Sequence, residues 1–222
     1  MITVHHLNQS RSQRVLWLLE ELELPYELVT YERDPKTMFA PEALRKVHPL
    51  GKSPVITDDD LVIAESGAIL EHLALTHGGG KLVPPVGTAA HRDCRYFMHY
   101  AEGSLMPFLV MALVFGKVRR APVPFFVKPI VRKIADTVTG QFVTPNVSRH
   151  LLFLEGYLAS HAWFGGDELS IADIQMSYPC EAIVARAQGV VPTPRIIELV
   201  ARMKARPAYQ RALAKGGPVL ID

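Results

Sequence analysis

Residues 48–56 read HPLGKSPVI and, after an acidic turn, residues 61–66 read LVIAES; these two segments are the most informative in the chain. Pro54 opens a β-forming run, and proline is tolerated at a strand's first residue where its missing N–H is not needed by the ladder. Leu61–Ile63 returns as a short strand, and Glu65-Ser66 begins a helix. Because free N–H groups at a helix start bind carboxylates or phosphates, this edge is predicted to hold a small peptide-like anion.

The residues before this hairpin alternate between strand and helix periods. Thr3–Leu7 is predicted as a strand, the apolar spacing after Arg14 as a helix, and Tyr26–Tyr31 as a second strand. A short helix is predicted at Pro41–Val47. The resulting order, βαβαββα with a proline ahead of the third strand, resembles thioredoxin.

A linker and a helical half follow. Three glycines at 78–80 and two prolines at 84–85 interrupt the periodic pattern, so we expect a domain at 1–77, a linker at 78–88 and an all-helical domain at 89–222. Ser170 and Asp173 have the spacing of a helix capping box. Helical spacing predicts helices at Ala89–Phe115, Pro129–Val138, Val147–Ala162, Ile171–Gln188 and Arg195–Ala205.

The composition excludes several classes of protein. With 24 basic and 22 acidic residues the net charge is +2, which gives no overall field for nucleic acid. Cys94 and Cys180 are the two cysteines, too few and too distant for a disulfide framework or a paired-cysteine metal site. The nine histidines lack zinc-helix spacing, so no metal is predicted. A local basic cluster is interpreted as a solvated helix face: Lys117, Arg119, Arg120, Lys128, Arg132 and Lys133.

Neither a secretory leader nor a membrane span is expected. The chain goes directly into Ile2-Thr3-Val4 without a basic leader and apolar core. The longest apolar run, Leu105–Phe115, contains Pro107 and has about half the roughly 20 residues of a membrane span. We therefore expect a cytoplasmic protein without a membrane partner.

The corner between the first strand and the first helix is the predicted reactive position, because a helix dipole stabilises an anion there. Residues 7–14, LNQSRSQR, contain neither cysteine nor tyrosine, so disulfide exchange through the protein's own thiol is excluded. Ser10 and Ser12 remain. Without a visible base a serine is a poor nucleophile, but its hydroxyl can donate to a bound thiolate and lower the pKa of that thiol.

Together these features resemble the glutathione S-transferase superfamily along essentially the whole chain. The residues that carry the resemblance are GKSPVI, AESGAIL, the glycine- and proline-rich linker, the helical half and LSIADI. The resemblance implies that the Ser53 backbone, before a cis Pro54, binds the cysteinyl unit of glutathione. It implies that Glu65 and Ser66 bind the γ-glutamyl end, and that Lys52 reaches the glycyl carboxylate.

The segment SRSQRVLWLLEEL resembles the serine-type branch of this superfamily, in which a serine four residues before the first-helix arginine faces the thiol. Ser10 holds that position. Ser12 is the second candidate, with a simple N-cap as its structural alternative, and Asn8 is a third possible donor. Ser53 departs from the usual aliphatic residue, which leaves backbone binding intact. The corner also lacks the serine-serine-cysteine run of the maleylacetoacetate isomerase branch, which argues against that activity.

The resemblance implies an electrophile pocket between the domains and a homodimer. The predicted lining residues, with helix core as the alternative, are Tyr96, Tyr100, Met106, Phe108, Met111 and Phe115. Arg119 and Arg120 are candidate anion contacts. We expect addition of glutathione to small hydrophobic electrophiles without a metal. Two alternatives stay open: reduction of peroxides or disulfides by glutathione, and a non-catalytic partner-binding protein.

Overall fold

The computed structural model describes residues 1–187 and 189–219, and its first part is a four-stranded sheet. The strands are β1 (Ile2–Leu7), β2 (Tyr26–Tyr31), β3 (Val55–Asp58) and β4 (Leu61–Ala64), in the order β2-β1-β3-β4. β1 pairs in parallel with β2 and antiparallel with β3, and β3 pairs antiparallel with β4. This arrangement confirms the predicted thioredoxin-like opening.

Three helices accompany the sheet: α1 (Gln13–Leu22), α2 (Glu42–Val47) and α3 (Ser66–His72). A π-helical turn, Leu73–His77, extends α3. α1 is buried along most of its length because it packs on β1 and also on two helices of the second half. That central position fixes the corner before α1 between the two halves of the molecule.

The second half is helical, as predicted. After residues 78–88, which contain no helix or strand, the helices are α4 (Ala89–Tyr100), α5 (Met106–Arg119), α6 (Lys128–Val138), α7 (Thr144–Leu158), α8 (Ile171–Arg186), α9 (Pro194–Lys204) and α10 (Pro207–Gly216). The predicted end of α8 at Gln188 lies outside the described residues. Sequence reasoning missed α10, although Pro207 in its first turn is a common helix-start signal.

The capping box is confirmed. Ser170 Oγ accepts from Ala172 N–H, and the Asp173 carboxylate accepts from Ser170 N–H at 2.8 Å. Asp173 is fully buried. Burial raises its pKa to about 6, despite the hydrogen bonds donated by Phe164 and Ser170.

The helical run that contains Pro107 is longer than the expected interruption at this residue would allow. α4, the π-helical turn Ala101–Leu105 and α5 form a continuous run over Ala89–Arg119 that is long and apolar enough, by length and composition alone, to cross a membrane. Pro107 does not interrupt it because the π-helical turn Ala101–Leu105 directly precedes α5 and already changes the α-helical hydrogen-bond pattern there. Buried core helices of soluble proteins also satisfy this criterion of length and composition. In this run, 22% of the most apolar window is buried.

Candidate functional site

A cleft of about 220 Å³ brings together the five predicted glutathione contacts. The hairpin contributes Lys52, Ser53 and Pro54, and the start of α3 contributes Glu65 and Ser66. Sequence reasoning missed the other described lining residues: Arg11, His48, Leu50, Ala64 and Glu102. Cationic and anionic side chains therefore face the same small space.

The peptide bond between Ser53 and Pro54 is cis, as the resemblance implies. The Ser53 hydroxyl donates to the carbonyl of His5 at 3.2 Å and accepts from the N–H of Leu7 at 3.3 Å. These bonds fasten the start of β3 to β1. The serine that replaces the usual aliphatic residue thus has its side chain engaged with the sheet.

Glu65 has an unusual backbone conformation at the start of α3, with a φ of 73°. For a residue with a side chain this left-handed region costs about 1–3 kcal/mol and is found at ligand clamps. Glu65 is exposed, whereas Ser66 is 4% exposed. The turn therefore places a free carboxylate next to a buried hydroxyl.

The corner before α1 contains a chain of hydrogen bonds. Ser10 Oγ lies 2.8 Å from Ser12 Oγ and 3.4 Å from Ser53 Oγ. Ser12 Oγ lies 2.8 Å from Nδ1 of His6, whose Nε2 lies 2.8 Å from the carbonyl oxygen of Gly216. Ser12 occupies the N-cap position of α1 but makes no capping hydrogen bond through its side chain. The Ser12 hydroxyl is hydrogen-bonded to His6 instead.

The protonation state of His6 determines which group donates in each of these hydrogen bonds. A carbonyl only accepts, so Nε2 of His6 carries the hydrogen toward Gly216, and burial lowers the pKa of the ring and keeps it neutral. Nδ1 then accepts from Ser12, so Ser10 is the donor in the Ser10–Ser12 bond, and Ser53 Oγ at 3.4 Å is a longer, alternative acceptor for the same Ser10 hydrogen. Sequence reasoning missed His6, because Gly216 is 210 residues away along the chain.

Asn8 is held at the same corner by Arg33. Asn8 Oδ1 accepts from the backbone N–H of Arg33 at 3.0 Å, and the Arg33 guanidinium donates to the Asn8 carbonyl at 3.2 Å. The side-chain oxygen of Asn8 therefore holds the corner before α1 against the backbone of Arg33.

Glu102 joins the two halves of the molecule beside the cleft. It accepts from Arg14 at 2.6 Å and from Arg11 at 3.0 Å, and both guanidinium groups lie over the ring of Tyr178. Burial opposes ionisation of Glu102, but the two arginines hold its pKa below the usual value. Arg14 is 1% exposed, so Glu102 is the counter-charge of a buried cation.

A second cavity, of about 730 Å³, adjoins this region through Arg11 and is mostly apolar. Of the six predicted lining residues, Met106 lies in its wall. Tyr96 and Tyr100 line a separate cleft on α4, while Phe108, Met111 and Phe115 are partly buried against the core. Among the described residues its charged lining is entirely cationic: Arg11, Arg33, Lys117, Arg120 and Arg186.

The two candidate anion contacts have different positions. Arg120 lines this cavity, and Arg119 is paired with Asp136 at 2.7 Å. Tyr178, which sequence reasoning missed, is also in the wall. A lone tyrosine within a helical pattern gives no signal that distinguishes a pocket residue from a core residue.

Comparisons with known proteins assign both halves of the chain to the same family. Residues 1–75 match the family described as glutathione S-transferase, N-terminal domain, and residues 126–216 match glutathione S-transferase, C-terminal domain. Glutathione S-transferase 3 of Schizosaccharomyces pombe is 35% identical over 216 residues, covering 97% of this chain and 88% of that protein. The disulfide-bond oxidoreductase YfcG of Escherichia coli is 27% identical over 222 residues, covering 97% and 95%. A crystal structure of a glutathione S-transferase from Actinobacillus pleuropneumoniae has a TM-score of 0.78 at 31% identity, covering 97% of this chain and 93% of that one.

Proposed function

This chain belongs to the glutathione S-transferase family, and we propose that it adds the thiolate of glutathione to small hydrophobic electrophiles that carry an acidic group. The observation that carries the proposal is the cleft in which Lys52, Ser53, Pro54, Glu65 and Ser66 meet. Glutathione has one ammonium group and two carboxylates. A cleft that presents both charge signs is suited to such a tripeptide.

Each part of glutathione has a proposed partner. The Glu65 carboxylate binds the γ-glutamyl ammonium group, and the Ser66 hydroxyl donates to the neighbouring carboxylate. Lys52 attracts the glycyl carboxylate, with about 1 kcal/mol expected at an exposed site. The backbone of Ser53 binds the cysteinyl unit, since the β3 ladder begins only at Val55.

Ser10 is the proposed donor to the sulfur. It does not line the cleft, but its Oγ lies 3.4 Å from that of Ser53, which does. The hydrogen of Ser12 is committed to His6, whereas Ser10 is free to rotate its hydrogen from Ser12 toward a thiolate. During that rotation its oxygen still accepts from the N–H of Ser12 at 3.2 Å. A hydrogen bond to the charged form lowers the pKa of the thiol.

The second cavity supports the choice of electrophile. Its apolar walls favour hydrophobic molecules, and its cationic residues favour a negative charge on them. Proximity of the thiolate to the electrophile then supplies much of the rate. In parallel assays, an apolar acid should be a better co-substrate than its neutral ester, and Arg120→Ala should reduce that preference.

Glutathione binding itself is tested by calorimetric titration of the purified chain with reduced glutathione. Lys52→Ala and Ser66→Ala should each weaken binding several-fold, while Lys46→Ala and Ser160→Ala, exposed outside the cleft, should not. Absence of heat at millimolar glutathione would contradict the proposal and favour the partner-binding alternative.

Reduction of disulfides is the second candidate function, because one relative is named a disulfide-bond oxidoreductase. Cys94 and Cys180 are both buried, so two glutathione molecules would supply the electrons and leave as oxidised glutathione while the disulfide becomes two thiols. Reduction of peroxides would likewise oxidise two glutathione molecules. Product analysis separates a conjugate from oxidised glutathione.

We also propose that the protein is a cytoplasmic homodimer with a role in detoxification, as the family resemblance implies. β4 is an edge strand whose Leu61 and Val62 are 56% and 48% exposed. A partner subunit would cover such an edge. Light scattering after size-exclusion chromatography should give twice the mass of one chain.

A further inference from the structure

We infer a divalent transition-metal site at Asp58, His72 and His77, none of which lines the glutathione cleft. Nε2 of His72 and Nε2 of His77 lie 2.7 and 2.6 Å from the same carboxylate oxygen of Asp58. The three ligand atoms lie within 4.8 Å of one another. Sequence spacing missed this group because β3 supplies the carboxylate 14 and 19 residues before the histidines.

Two imidazole nitrogens and one carboxylate oxygen form a donor set that zinc uses when it keeps one position for water. The Asp58 side chain is 7% exposed, and those of His72 and His77 are 20% and 30% exposed. The carboxylate is therefore fixed in the fold, while the two rings border solvent. That arrangement leaves an entry path and room for a fourth, water ligand.

The present distances are those of hydrogen bonds, so binding requires a small outward movement. A tetrahedral ion with bonds of about 2.0–2.1 Å separates its ligand atoms by about 3.3 Å. His72 is the last residue of α3 and His77 the last residue of the following π-helical turn, and both rings are partly exposed, so the movement required is of side chains at the protein surface. Each ring must carry its hydrogen on Nδ1, and for His72 that nitrogen lies 3.5 Å from the Thr76 hydroxyl.

A bound ion would join the end of β3 to the end of α3 and the segment that leads to the helical half. Because the ion binds only the folded arrangement, it would raise the stability of the chain. Selectivity among divalent ions should follow the usual order for nitrogen and oxygen ligands, with zinc and copper ahead of cobalt.

The test uses the untagged full chain, freed of metal with a chelator and titrated with Co²⁺ and with Zn²⁺. We expect one Co²⁺ per chain with the visible absorption of a tetrahedral site, displaced by Zn²⁺, and a melting temperature raised by Zn²⁺. His77→Ala should weaken binding at least tenfold and abolish the melting shift, and His99→Ala, exposed on α4, should change neither. Circular dichroism verifies that both variants fold. Absence of binding below millimolar Co²⁺, or equal binding by His77→Ala, would overturn the proposal, and neither readout depends on transferase activity.

A different observation concerns the α5–α6 hairpin, residues 106–138. It contains six of the basic residues and one acidic residue, Asp136, while the whole chain has a net charge of +2, so the remainder of the chain is net negative. α6 buries only Ala135 among its side chains. Seven large apolar side chains of the hairpin are exposed: Val110, Val114, Val118, Phe125, Phe126, Ile130 and Ile134.

We propose that this hairpin lies on the surface of an anionic lipid membrane. Phe125 and Phe126, 82% and 68% exposed, form its tip, and Lys128, Arg132 and Lys133 accompany the exposed isoleucines of α6. Apolar side chains that enter the acyl boundary beside Lys and Arg are the signature of an interfacial helix. Each basic residue near an anionic leaflet adds to the electrostatic attraction. Nucleic acid would use the charge but leave the phenylalanines exposed to water.

The test is flotation of the full chain with vesicles of phosphatidylcholine alone or with added phosphatidylserine. We expect binding to the anionic vesicles that decreases with salt, and at least a fivefold loss in the double variant Phe125→Ser, Phe126→Ser. Phe39→Ser, 73% exposed outside the hairpin, is the control and should bind as the native chain does. Absence of flotation would overturn the proposal, and so would self-association through the hairpin without vesicle binding.

Discussion

Oγ of Ser12 lies 2.8 Å from Nδ1 of His6, in a corner where neither residue is exposed to solvent. The same ring reaches Gly216 at the end of α10, so the last described helix supports the corner that carries Ser10. The corner that holds Ser10 is therefore completed by the second half of the molecule.

Acidification should destabilise the protein below about pH 6.5. Burial lowers the pKa of His6, and also that of His5 and His150, below the value of an unfolded histidine, about 6.5. As pH falls through 6.5 the unfolded chain takes up protons that the folded chain does not, so the free energy of unfolding decreases until the folded pKa is passed. Urea unfolding at pH 7.5 and 5.5 measures the loss. The variant His6→Asn should lose less than the native protein, and an equal loss would contradict the role given to His6.

Gly216→Ala should lower the free energy of unfolding by about 1–3 kcal/mol. A Cβ at this position would clash with Gln13 Oε1 and lie 2.6 Å from Leu16 Cδ1, both on α1. Gly156→Ala, within α7, is the control because a Cβ there meets nothing within 4 Å. That control should be neutral or stabilising by up to about 1 kcal/mol. Urea unfolding measures the free energy of unfolding of both variants. Equal stability of Gly216→Ala and Gly156→Ala would contradict close packing of α10 against α1.

Glu102→Gln should destabilise the protein by about 2–4 kcal/mol, because it leaves the buried guanidinium of Arg14 without a counter-charge. Nε and Nη2 of Arg14 already lack partners among the described residues, and Glu102 is 35% exposed, which moderates the cost. Because Glu102 also lines the cleft, we expect a change in the KM for glutathione. Glu198→Gln removes an exposed i,i+4 pair with Arg202 and should cost at most about 0.5 kcal/mol. Similar losses in the two variants would contradict a buried pair.

The sequence predicted those parts of the fold whose signals are local. The hairpin around Pro54, the start of α3 and the Ser170 cap each depend on residues within a few positions, and the structure has them where they were expected. The βαβ periodicity of the first part was likewise sufficient to predict its sheet.

Contacts between distant segments could not be predicted in the same way. His6 meets Gly216, Arg14 meets Glu102, and Asp58 meets two histidines only after the helices have packed. The aromatic and methionine stripe gave no indication of which face lines a cavity, because a pocket wall and a helix core have the same period. Met106 therefore lies in the cavity wall, whereas Phe108 and Phe115 pack against the core.

The decisive measurement for Ser10 is the pKa of the glutathione thiol bound to the protein, monitored by thiolate absorbance in the native chain and in the variants Ser10→Ala and Ser12→Ala. With Ser10 as the donor to sulfur, we expect a bound thiol pKa near neutrality in the native chain and a rise of about 1–2 in Ser10→Ala, with kcat/KM reduced about 10- to 100-fold. Ser12→Ala should raise the thiol pKa less, because the Ser12 hydroxyl donates to His6 in the native chain. An unchanged thiol pKa and unchanged turnover in Ser10→Ala would contradict the role proposed for Ser10.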